Sequence, residues 1–113
     1  MSKKQQEIHE TDSLPWIPVE GMEGAVQKIL NVNPESGSIS RLLKFSPGAH
    51  STEKFVHDFY EEVYIIEGSV MDTTLNLTFH KGYYGYRHPG MIHGPYYSPN
   101  GALQFEVRNF EKC

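Results

Sequence analysis

Three residues hold the chemistry that this chain can do: His57, Glu61 and His93. His57 and Glu61 lie four apart, and on a strand an even offset turns both side chains to one face. His93 follows a glycine-bounded hairpin, which can return it to the same mouth of a barrel. Two neutral imidazoles and one carboxylate suit Fe(II), Mn(II), Zn(II) or Ni(II), and a facial arrangement leaves positions open for oxygen or substrate. A buried Glu61 without a cation carries a large desolvation cost, so it needs a metal or a proton. Glu62, at the odd offset, is expected to face outward. His88 is a candidate acid/base group at the barrel mouth, since imidazole titrates near neutral pH. Tyr96 or Tyr97, just past His93, is expected to line the pocket, and Tyr97 joins His88 as a catalytic candidate. His9 and His80 read as solvent-facing.

Those groups need a scaffold of short strands. Seven tyrosines, ten glycines and seven prolines favour strands with frequent turns over a helix bundle. Residues 24–32 alternate in part, with Val26 opposed to Gln27 and Leu30 to Asn31, and read as a strand. Pro34 and Gly37 mark a turn, and 38–45 form a second strand that Ser46, Pro47 and Gly48 should stop. The strongest β signal runs over 55–67, centred on Val63, Tyr64, Ile65 and Ile66 and closed by Gly68. Further strands are expected over 69–77 and 82–87. Residues 102–108 alternate, with Leu103, Phe105 and Val107 on one face, after a tight-turn pair at Asn100 and Gly101. Two prolines make 14–18 an edge segment, anchored by packing of Trp16. Residues 1–13 are expected to be a flexible arm, and 14–113 a single all-β domain, a sandwich or barrel.

Composition removes other classes. Lys and Arg total 10 against 14 Asp and Glu, a net charge of −4, so no basic footprint for nucleic acid or an anionic membrane is present. No apolar run approaches the roughly 20 residues that span a bilayer. Residues 1–10 are polar and charged, unlike a secretory signal. The single cysteine, Cys113, excludes an intrachain disulfide and fits a reducing, cytoplasmic setting. The tyrosines favour packing and a homodimer interface, because their rings offer large contact area with a polar tip.

The stretch from Pro47 and Gly48 through His57, Glu61 and Gly68 resembles the first motif of the cupins. Gly82 through Tyr97, with Gly90 and His93 in register, resembles their second motif. The arrangement around His88, Pro89, Gly90 and His93 is most similar to the ChrR-type and the small acetylacetone-cleaving dioxygenase-like cupins. The resemblance implies a double-stranded β-helix (jelly-roll) barrel with one divalent metal, Fe(II) by preference, held by His57, Glu61 and His93. It departs at Phe55, which stands where the first motif has a histidine. The interval from Gly48 is one residue longer than the motif prescribes, so a shifted loop would bring in His50 as the fourth ligand. His88 replaces a proline of the second motif, and Tyr97 an asparagine. Phe55 there implies an apolar wall and a small hydrophobic or aromatic substrate. The implied activity is that of a non-haem dioxygenase on a small carbonyl or aromatic compound; the alternative is a barrel that binds or senses a metal or small ligand without turnover.

Overall fold

The computed structural model describes residues 5–110, and among these it contains ten strands and no helix. They are β1 (Ile17–Pro18), β2 (Glu23–Val32), β3 (Ile39–His50), β4 (Phe55–Val56), β5 (Tyr60–Asp72), β6 (Leu77–His80), β7 (Tyr84–Arg87), β8 (Ile92–His93), β9 (Tyr96–Ser98) and β10 (Ala102–Asn109). The main sheet runs β1-β2-β3-β10-β5-β6, with β7 on β5. Because β9 pairs with both β3 and β5, the ring β3-β10-β5-β9 closes on itself. The expected all-β barrel is borne out. No helix among the described residues is long and apolar enough to cross a membrane.

Three expectations about strand ends are corrected. β3 runs through Pro47 and Gly48 rather than stopping there. Its pairing with β10 ends at Phe45 and resumes with β9 at Ala49, so no ladder needs the missing proline N–H. The strand expected over 55–67 is broken: β4 ends at Val56, and residues 57–59 turn before β5 begins. β5 in turn passes Gly68 and continues to Asp72. Gly68 has φ +76°, and a Cβ there would lie 2.1 Å from the Gly101 carbonyl oxygen, so only glycine fits this crossing. A bulge beside it, between Leu103 and Gln104 of β10, resets the register.

Inward residues change character along the barrel. Phe45 pairs with Ala102, Leu43 with Gln104, and Arg41 with Glu106, while Gln104, Glu106 and Arg108 face Ile65, Val63 and Glu61. The core is therefore apolar at one end, where Met22, Ala25, Leu43, Phe45, Ala49, Val70 and Ala102 cluster. It is ionic at the other, where Arg41, Glu61 and Glu106 are buried. The outer face of the same sheet is inverted: Leu42, Phe105, Tyr64 and Tyr84 lie opposite one another across four strands. Tyr64 is 47% exposed and Tyr84 59%.

Of the arm expected over 1–13, residues 1–4 lie outside the described residues. Gln6 Nε2 donates to the Leu30 carbonyl (3.3 Å) and Lys28 Nζ to that of Thr11 (2.9 Å), so both residues lie along β2. Trp16 packs under two cations, Lys28 at 4.6 Å and Lys44 at 5.6 Å from its ring centroid.

Candidate functional site

Three elements bring the site together. Glu61 is the second residue of β5, turned inward and 2% exposed, while its neighbour Glu62 faces solvent and accepts from the Tyr84 hydroxyl (2.7 Å). His93 ends β8 and is also 2% exposed. His57 lies just past β4, whose pairing with β8 sets Phe55 opposite His93. One ligand atom from each of His57, Glu61 and His93 lies within 4.8 Å of the other two. Strand alternation is not what unites His57 with Glu61, because the turn at 57–59 separates them. The His57 carbonyl accepts from Gly90 N (2.7 Å), and its ring stacks on Phe59 at 4.2 Å.

The donor set fits a cation. His93 Nδ1 is hydrogen-bonded to the Tyr96 hydroxyl, and Nε2 is buried with no partner. With the proton on Nδ1, donated to the phenol oxygen, Nε2 presents a bare lone pair toward the cluster. Burial, helped by the Arg108 cation, lowers the His57 pKa to about 4. Burial, then Arg87 and His57, lowers that of His93 to about 4 as well. Both imidazoles are neutral at pH 7, the form that binds a metal. Burial also raises the Tyr96 pKa, which keeps the phenol protonated.

Charges absent from the motif surround this set. Arg87 Nη1 donates to Glu61 Oε1 (2.8 Å), and Arg108 Nε lies 3.5 Å from Glu61 Oε2. Arg41 donates to Glu106 Oε1 through Nε (3.0 Å) and Nη2 (2.7 Å), and to Gln27 Oε1 through Nη1 (2.7 Å). Gln104 Nε2 donates to Glu106 Oε2. All of these groups except Gln27 line a cavity of about 100 Å³, whose apolar walls include Met22, Leu43, Phe45, Phe55 and Val70. Sequence reasoning did not pick out Arg41, Arg87, Gln104, Glu106 or Arg108. The available signal was β10, where a strand of a closed barrel alternates apolar residues with Gln104, Glu106 and Arg108.

The structure does not bring the other three candidates to this cavity. His50 is half-exposed; its Nδ1 contacts the Gly48 carbonyl (3.1 Å) and its Nε2 lies 3.7 Å from Glu23. The pairing of His50 with Tyr97 carries it along β9, to a separate depression beside Glu23 and Thr52. Tyr97 is 41% exposed, because strand alternation turns Tyr96 inward and its neighbour out. His88 is exposed beyond Arg87 and packs edge-on against Tyr60 and Tyr86. Phe55, in the motif's histidine position, lines the cavity with its ring 6.3 Å from His57 and 6.0 Å from His93.

Residues 4–109 match the model of the ChrR cupin-like domain. No curated protein matches the sequence. Among solved structures, an acetylacetone dioxygenase from Acinetobacter johnsonii superposes with a TM-score of 0.78 at 16% identity, over 94% of this chain and 74% of that one. An RmlC-like cupin from Shewanella frigidimarina NCIMB 400 gives 0.77 at 17% identity, over 99% and 96%. The complex of SigE with the anti-sigma ChrR from Rhodobacter sphaeroides gives 0.67 at 18% identity, over 88% of this chain and 51% of that one. At these identities the structures establish a shared fold, and fold alone does not carry function. The family match spans nearly the whole chain, and with the closed barrel it makes this protein a member of the ChrR cupin-like domain family.

Proposed function

We propose that the barrel is a mononuclear metal site for oxidative chemistry on a small enolisable carbonyl or aromatic compound. The observation that carries this reading is the unpartnered, buried Nε2 of His93, set within 4.8 Å of donors from His57 and Glu61. A divalent ion there, Fe(II) by preference, would supply Lewis acidity toward a substrate oxygen and access to dioxygen. The chain's own residues do the rest. Tyr96 fixes the His93 tautomer, and Arg87 orients Glu61 through Oε1. Phe55 and the apolar walls keep water from one side of the cavity.

The test is elemental analysis of the purified protein and of His57→Ala, Glu61→Ala and His93→Ala, followed by oxygen uptake. Fe(II)-reconstituted protein should consume oxygen with a β-dicarbonyl or a hydroxylated aryl ketone, and each substitution should remove the metal. Absence of metal in the native chain refutes the site.

A second reading is favoured by one observation: Glu61 already holds Arg87, as in a closed binding site rather than an open catalytic one. A barrel that binds metal and takes up no oxygen with that panel is a binding or sensing module. The apolar row Leu42, Phe105, Tyr64 and Tyr84 supports a homodimer through the outer sheet face. Sedimentation should give twice the chain mass, reduced to one chain mass by Tyr64→Asp.

A further inference from the structure

The ionic end of the cavity has an unbalanced charge. Three guanidiniums (Arg41, Arg87 and Arg108) line it beside two buried carboxylates, Glu61 and Glu106; the third carboxylate of the lining, Glu20, is exposed. Arg41 is matched by Glu106 and Gln27, and Arg87 by Glu61. Arg108 shares both of these carboxylates with the other two arginines. Its Nε is buried without a hydrogen bond, 3.5 Å from Glu61 and 3.8 Å from Glu106, each already held by another arginine. Its guanidinium lies over the Phe59 ring, 4.9 Å from the centroid, so one face is closed to water. Among the lining residues this cationic surplus exists before any histidine or metal is counted, while buried Asp72, held by backbone N–H groups including that of Gly94, adds a negative charge beside His93. The Arg108 side chain is 26% exposed and shares its carboxylates with the other arginines, so of the three guanidiniums it is the one with donor capacity left for an added anion.

We propose that the cavity recognises a small organic carboxylate, received by Arg108 beside the His57, Glu61 and His93 cluster, so that the compound acted on is a carbonyl compound bearing a carboxylate. The claim rests on reading this cavity as the ligand site, and deepens that reading by giving the ligand a charge. A planar two-oxygen anion matches a guanidinium fork better than a point anion does. The apolar walls at Met22, Leu43, Phe45 and Phe55 favour an organic substituent over inorganic phosphate.

Calorimetric titration tests it with acetate, butyrate and benzoate, each against its neutral amide, on metal-free and zinc-loaded protein. Zinc permits binding without redox turnover. At least one carboxylate should bind about tenfold or more tighter than its amide. Its affinity should fall by a similar factor in Arg108→Gln and be restored only in part in Arg108→Lys, which keeps the charge without the fork. Equal binding of acid and amide by the unsubstituted protein overturns the proposal, whether or not the variants fold; so does unchanged carboxylate affinity in a folded Arg108→Gln. Carboxylate binding by a chain that takes no metal sustains this proposal while the metal reading falls. Metal binding with no preference for the anion does the reverse.

Discussion

Replacing Glu106 by alanine should cost more stability than any cavity-lining change that leaves charges matched. Its carboxylate receives two hydrogen bonds from Arg41 and one from Gln104, and the Arg41 and Glu106 side chains are 5% and 4% exposed. Removing it leaves the Arg41 guanidinium inside the barrel with the Gln27 amide oxygen as its remaining described acceptor. Truncating one partner of a buried pair costs about 3–5 kcal/mol, because the other charge stays desolvated. A domain of this size has a total of only about 5–15 kcal/mol. With a urea slope near 1.5 kcal/mol/M, the unfolding midpoint should drop by about 2–3 M. The double variant Arg41→Met with Glu106→Leu removes both charges and should recover most of that loss. The assay is urea unfolding followed by circular dichroism. A loss below about 1 kcal/mol for Glu106→Ala would mean that water reaches the pair, and the argument from unbalanced charge in this cavity would fail with it.

Four further outcomes are expected. His50→Ala should leave metal content unchanged, since His50 faces Glu23 outside the cluster; a loss of metal would restore it as a ligand. Tyr96→Phe removes the partner of His93 Nδ1 and should weaken metal binding about 10–100-fold in a chelator competition, with unchanged affinity counting against the tautomer argument. Phe55→His would set a third imidazole opposite His93 on β4 and should tighten metal binding in the same competition; weaker binding would show that the ring belongs to the substrate wall alone. The pH dependence follows from the two histidines, whose pKa falls from 6.5 to about 4 on folding. Between those values the unfolded chain takes up protons that the folded chain refuses, so unfolding becomes easier as pH falls. The melting temperature of the metal-free protein should be flat above pH 6.5 and decline from there toward pH 4. A melting temperature that holds to pH 4.5 would contradict the burial of these rings.

Much of the barrel was legible because its signals are local. Val63 to Ile66 marked the central strand, Asn100 and Gly101 the turn before β10, and Pro34 and Gly37 the turn between β2 and β3. The three site residues were legible through spacing, although the even offset of His57 and Glu61 gave the right pairing for the wrong reason. A turn at 57–59 unites them, and such a turn depends on the β4–β8 ladder, which single-sequence periodicity does not contain. The direction of β10 was hidden for a different cause. Apolar residues usually mark the inner face of a strand, yet here Phe105 points out and Glu106 points in. The inner face at that end carries the ionic groups of the cavity, and the outer sheet carries the aromatic row. Arg41 and Arg87 were hidden likewise, since nothing local distinguishes a buried arginine from a solvated one.

The β4–β8 ribbon has a kinetic consequence. It consists of two residue pairs, Phe55 with His93 and Val56 with Ile92, and forms a sheet separate from the one that carries Glu61. Outside the ladder, described tethers run from Gly90 N to the His57 carbonyl, from Gly94 N to Asp72 Oδ2 and between His93 Nδ1 and the Tyr96 hydroxyl on β9. Parting this ribbon together with those tethers would move the imidazoles relative to the carboxylate while the main sheet stays paired, a local opening. The residence time of a captured ion would then be set by the breathing of four paired residues, not by global unfolding. The ion in turn would slow hydrogen exchange at residues 55–57 and 92–94, leaving the amides of the central β5 strand as they were.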